Sequence, residues 1–187
     1  MTLYPFGNIN ESDILQGYAL NAASGDKGQP VTLVTGAAAG SAVHSIHRNI
    51  AADYTANAAG KVYSPRWQVV NKVKLSVTGD MPIGVLYYDV RETTVFGYPT
   101  SFDAVRRDEA ECVPSGEAVP ILQKGTVVIG PLPVVTPAVN SFLIVSGTGG
   151  YASTASPFSG AGGPTFGRWL SIKDSDGYAI AQINCYA

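Results

Sequence analysis

The residue types that carry out chemistry are present in this chain, but their spacing does not complete a site. Gly147-Thr148-Gly149-Gly150-Tyr151-Ala152 follows the apolar run 142–145 and fits the glycine pattern of a dinucleotide-binding turn. Such a turn needs a helix amino terminus to hold the pyrophosphate, and Ser153-Thr154-Ala155-Ser156-Pro157 is a poor opening for one. Gly60-Lys61 looks like the end of a phosphate-binding loop. Val62, however, stands where magnesium needs a Ser or Thr, and Thr55 stands where the first Gly belongs. His44 and His47, with Asp53 nearby, would share one side of a helix as metal ligands, but on a strand they face opposite ways, and no third ligand is evident. Asp174 and Asp176 before Gly177 resemble the start of a calcium loop whose twelfth, acidic position is here Cys185, so a turn is the better reading. Asp108, Glu109 and Glu111, behind Arg106 and Arg107, read as a solvated charged run. No serine lies in G-x-S-x-G, and no motif ties either histidine to a serine. The sequence therefore assigns no catalytic residue, no cofactor and no metal, and the expectation is a protein that is not an enzyme.

The elements that would have to position such residues are strands and turns. The chain has 187 residues, a length suited to one domain. Only 14% of them are charged, against about 25% in an ordinary globular domain, and 21 Gly and 12 Pro accompany many Thr, Val and Ala. Low charge with a mean hydropathy of +0.12 points to a surface partly covered by other subunits, through self-assembly or docking on a larger body. The net charge is −2 and Lys and Arg are scattered, so no nucleic-acid footprint is present. The first residues lack the basic and apolar regions of a secretory signal, and no apolar run approaches a membrane span, so no membrane partner is expected. Cys112 and Cys185 are too few for a disulfide scaffold and read as buried thiols.

Residues 1–60 are rich in Ala, Gly, Asn and Ser, with one apolar run at 31–34 and a mixed stretch at 43–54. They read as an amino-terminal arm or extension, or as part of the same fold as a β-domain over 61–187. In that domain apolar runs at 67–70, 73–77, 84–90, 118–122, 126–129 and 142–145 are separated by turn residues. Runs 168–173 and 178–185 flank Asp174-Ser175-Asp176-Gly177, which predicts a hairpin, and Ala179, Ala181, Ile183 and Cys185 alternate onto one inward face. Residues 101–112 are the helix candidate, with Ser101 as cap and Asp103 in the first turn. The Gly- and Ser-rich stretch 147–163 predicts a long surface loop. The expected fold is all-β: a small β-barrel or β-sandwich of eight to twelve antiparallel strands with at most one or two short helices.

Gly84-Val85-Leu86-Tyr87-Tyr88-Asp89-Val90-Arg91-Glu92 and the later Ser115-Gly116-Glu117-Ala118-Val119-Pro120-Ile121-Leu122-Gln123-Lys124-Gly125-Thr126-Val127 together resemble capsid decoration (cement) proteins of tailed bacteriophages. The closing pattern, Gly167-Arg168-Trp169-Leu170-Ser171-Ile172 followed by Asp176-Gly177 and a final strand to Cys185, is similar as well, so the resemblance covers the carboxy-terminal two thirds. It implies a β-module on the outer face of a capsid that bridges major capsid subunits and resists internal DNA pressure. The implied partners are the major capsid protein and further copies of itself, with no small-molecule substrate. The implied location is the virion surface after synthesis in the host cytoplasm.

Aromatic side chains near predicted turns or termini are the candidate interface, because aromatics supply a disproportionate share of interface energy: Tyr4, Phe6, Tyr98, Tyr151, Phe158 and Phe166. Two alternatives stand beside this reading. One is a tail, baseplate or fibre component. The other is a carbohydrate-binding module, in which Trp67, Trp169 and the tyrosines would stack on sugar rings.

Overall fold

The structure is a computed structural model that describes residues 2–34, 72–91, 93, 111–132, 135–157 and 163–185. Among the described residues, fourteen strands and a single 3-10 turn, Glu11–Asp13, make the fold all-β, with more strands than the eight to twelve expected. One six-stranded sheet runs β1 (Thr2–Pro5), β10 (Lys124–Gly130), β14 (Ala179–Asn184), β13 (Gly167–Trp169), β11 (Phe142–Ser146) and β12 (Gly150–Thr154), with every neighbouring pair antiparallel. The other runs β2 (Ile14–Leu15), β9 (Ile121–Leu122), β6 (Gly84–Leu86), β4 (Pro30–Leu33), β5 (Lys72–Leu75) and β3 (Ala19–Leu20). It is antiparallel except where β3 meets β5. A two-stranded parallel ribbon, β7 (Asp89–Val90) with β8 (Cys112–Val113), completes the set.

Alternation along the strands decides where the core sits. Leu3, Val127, Ile129, Leu143, Val145, Trp169, Ala179, Ala181 and Ile183 of the first sheet are buried in one cluster. Val85 and Leu122 of the second sheet close that cluster from below. Their chain neighbours Leu86 and Ile121 point the other way, into a second cluster with Leu20, Val31, Val73, Val90 and Val119. A strand puts successive side chains on opposite faces, so at β6 and β9 the second sheet is apolar on both and lies between two cores, while the corresponding face of β4 and β5 carries Thr32, Lys72 and Lys74.

The carboxy-terminal hairpin forms as predicted. Gly167 pairs with Ile183 and Trp169 with Ala181. The Asp174 carboxylate accepts backbone N–H groups of Asp176 at 3.0 Å and Tyr178 at 2.7 Å, and Gly177 supplies the left-handed φ of 90° that the reversal requires. Ala179, Ala181 and Ile183 are buried while Gln182 and Asn184 are exposed, as the period of two predicts.

Two expectations change, and two others are met by the described residues only in part. Stretch 147–163 is not one loop: Gly147 (φ 62°) and Gly149 (φ 68°) make a tight turn, after which Gly150–Thr154 returns along β11 as a full edge strand. Run 84–90 is two strands, broken at Tyr87 and Tyr88. The predicted helix 101–112 lies outside the described residues except for its end, where Glu111 is a turn and Cys112 begins β8. Of the two readings of residues 1–60, residues 2–34 belong to the fold, with β1 in the first sheet and β2, β3 and β4 in the second. Residues 35–60, and run 67–70, lie outside the described residues.

Gly84 is where the second sheet leaves no room for a side chain. A Cβ there would lie 2.6 Å from the Leu122 carbonyl oxygen and 2.5 Å from Ile121 Cγ2. Overpacking of this kind costs about 1–3 kcal/mol. Gly84→Ala is therefore expected to lower the urea midpoint at unchanged slope, and an unshifted midpoint would show that β6 and β9 do not pack as described.

Candidate functional site

The outward face of the first sheet is the surface this fold offers. Register places Tyr4 opposite Val128 and Val128 opposite Ile180. Leu170 then donates its N–H to the Ile180 carbonyl at 2.8 Å, which extends the row by one more apolar side chain. Tyr4 is 52% exposed, Phe6 55%, Leu170 40% and Ile172 66%. Phe6 donates its N–H to the Thr126 carbonyl at 2.8 Å, continuing β1. Beside this apolar row runs a more polar one, Thr126, Gln182, Arg168, Phe142 and Thr154, in which the Arg168 guanidinium lies 5.5 Å from the Phe142 ring centre. An apolar strip with a polar margin is the composition of a protein interface.

The predicted contact residues divide on burial. Tyr4 and Phe6 are on the surface. Tyr151 and Phe166 are not: at 3% and 1% exposure they stack 6.0 Å apart in the core beneath Trp169, and the Tyr151 hydroxyl donates to the Gly28 carbonyl. Both follow small residues that suit a turn, and that neighbourhood misleads, because each occupies an inward position of its segment. Tyr98 and Phe158 lie outside the described residues. Trp169 is completely buried, so it cannot stack on a sugar, and Trp67 lies outside the described residues.

The motif candidates are placed as follows. Residues 147–152 form the β11–β12 turn, whose Gly149 N–H donates to the Ser76 carbonyl at 2.8 Å, and a strand follows where a dinucleotide site needs a helix. Asp174 is committed to its own turn. His44, His47, Asp53, Gly60, Lys61, Asp108 and Glu109 lie outside the described residues. Among the described residues no three His, Cys, Asp or Glu side chains are placed to hold a metal ion. A cavity of about 320 Å³ opens beside Ile14, Val119 and Pro120 and is walled by Tyr87 and Tyr88, whose rings stack 5.7 Å apart. Among the described residues its lining includes Gln16 and no carboxylate, amine or imidazole.

The charged cluster that does form was hidden in the sequence. Lys27 is buried, its ammonium contacts the Glu111 carboxylate, and its backbone N–H donates to Asp89 Oδ1 at 2.6 Å. Arg91 bridges Asp26 at 3.2 Å and Asp89 at 3.3 Å. Glu111 thus belongs to a structured network, a correction to its reading as part of a solvated run. Residues 26, 27, 89, 91 and 111 come from three separate stretches, and no local spacing announces their meeting.

Both thiols are free. Burial raises the pKa of Cys112 and pushes that of Cys185 up to about 12 from an ordinary 9.0. Burial likewise holds the Tyr151 hydroxyl well above its usual range. The folded chain therefore keeps the Cys185 proton more tightly than the unfolded chain does. That contribution to stability is fully present below pH 9 and is lost as the pH rises towards 12. Urea midpoints should fall progressively above pH 9, and an aromatic disulfide reagent at neutral pH should label Cys112 only after unfolding and the half-buried Cys185 more slowly in the native chain than in the unfolded one. Fast labelling of the native chain would contradict this burial. No protein-family model matches the sequence, and no curated protein matches it.

Proposed function

We propose that this chain is a structural virion protein that docks on the outer surface of a tailed-phage capsid and holds neighbouring major capsid subunits together. The observation that carries the proposal is the outward apolar row on the first sheet, in which Tyr4 and Leu170 are exposed and Val128 and Ile180 half-buried, with the exposed Phe6 and Ile172 near it. A chain with only 14% charged residues carries that row on a hydrogen-bonded sheet. Shell symmetry then multiplies a modest interface, so contacts that are weak singly hold firmly together. The resemblance of residues 84–130 and 167–185 to decoration proteins supports the same reading. A tail or fibre role would use the same surface and differs in the particle bound.

Co-sedimentation with tailed-phage heads that lack the protein tests this directly. Saturable binding at a fixed ratio to the major capsid protein is expected, with later DNA release on heating. The double variant Phe6→Ser, Leu170→Ser should keep its urea midpoint and lose at least about tenfold in affinity, as expected when two exposed interface anchors are removed. Absence of binding to heads would refute the capsid role, and binding to tails alone would move the protein there. Saturable binding to a glycan array would instead favour the carbohydrate module.

A further inference from the structure

Lys27 lies where a lysine is seldom found. Its side chain is 11% exposed, and the amine sits 5.5 Å from the Tyr4 ring centre and 6.0 Å from that of Tyr87, with the Glu111 carboxylate in direct contact. Burying an ammonium is costly unless it is paired, and breaking such a pair is costlier still. Two features hold this pair in place. The Lys27 backbone N–H is fixed by Asp89, which Arg91 anchors in turn. Glu111 has a φ of 49°, a left-handed conformation uncommon for a residue with a side chain, and its carbonyl accepts the Asp89 N–H at 2.9 Å. Nucleophile and electrophile, 84 residues apart in sequence, are thus held together by backbone constraints from both sides.

We infer that Lys27 and Glu111 form an intramolecular isopeptide crosslink: Lys27 Nζ is joined to Glu111 Cδ, and one water is expelled. The ammonium first gives a proton to the carboxylate, leaving a neutral amine beside a carboxylic acid. The amine nitrogen attacks Cδ and forms the C–N bond. A second amine proton passes to the departing hydroxyl, the C–O bond breaks, and water leaves. The ammonium's third hydrogen stays on the amide, so atoms and charge balance without an oxidant, a reductant or a cofactor. The amine, with a side chain 11% exposed, lies against the two rings, while Glu111, with a side chain 47% exposed, gives the expelled water a way out. The bond would tie the loop before β4 to the turn before β8. A protein under mechanical load gains from such a bond, although the inference does not depend on the capsid reading.

Intact-mass spectrometry of the purified, denatured full chain tests the crosslink. The expected mass is that of the sequence less one water. Tryptic digestion should leave the Lys27 bond uncut and give one branched peptide that contains both Lys27 and Glu111. Glu111→Ala and Lys27→Arg should each restore the mass expected for the variant sequence. A wild-type chain of full mass, with Lys27 cut by trypsin, would overturn the inference. So would a water loss that maps to Asp176-Gly177 as a succinimide and persists in Glu111→Ala.

Discussion

The chain leaves the second sheet at Leu122 and enters the first at Lys124, so Gln123 alone makes the crossing. Both backbone polar groups of that residue and its side-chain NH2 are bonded. Its N–H donates to the Asp13 carbonyl at 2.8 Å, its carbonyl accepts the Cys185 N–H at 2.9 Å, and its amide donates to the Ile83 carbonyl at 3.2 Å. A corner where a strand changes sheets breaks the ladder on both sides, and the backbone groups freed there must find other partners. Gln123 satisfies them with one residue from each of three segments. Leu122, immediately before it, can then face the main core while Ile121 faces the second. With a longer crossing the two inner faces would not be held at a fixed offset, and Val85 and Leu122 would not reach the underside of Trp169 and Ala181.

The same geometry produces the outer surface. Trp169, Ala181, Val127 and Leu3 fill the inner side, so their chain neighbours Leu170, Ile180, Val128 and Tyr4 fall into register on the outer side. The apolar row is a consequence of how the core strands pair, and it cannot be moved without moving the core. β1, at the sheet edge, is four residues long and ends in Pro5, which has no N–H to offer to a further strand. That edge therefore offers little to an added strand.

How much of this could be read from the sequence depends on how local the determinant is. The final hairpin was legible because Asp174, Gly177 and the alternation from 179 to 183 lie within a dozen residues of one another. Strand β12 was not, because Gly150-Tyr151-Ala152-Ser153-Thr154 has a loop's composition and becomes a strand only by pairing with β11. The two-residue strands β2 and β3 are shorter than any periodicity can register. Tyr151 and Phe166 were misplaced for a related reason: nearness to glycine marks a turn but does not say which face the next side chain takes.

The charged network shows this limit most clearly. Lys27 sits between Gly25 and Gly28 in a stretch that reads as a loop, and Glu111 ends a charged run. Each alone has a solvated explanation, and only the fold brings them into contact. Gly28 takes a φ of 93°, and a Cβ there would lie 3.2 Å from Leu3 Cβ, so the turn that carries Lys27 packs against β1 and the lysine amine lies 5.5 Å from the Tyr4 ring centre. From there Glu111 is the carboxylate in reach, because Asp89 is already engaged by Arg91 and by the Lys27 backbone. Tyr4 therefore belongs to two systems at once, as the outermost member of the apolar row and as a screen over the buried amine.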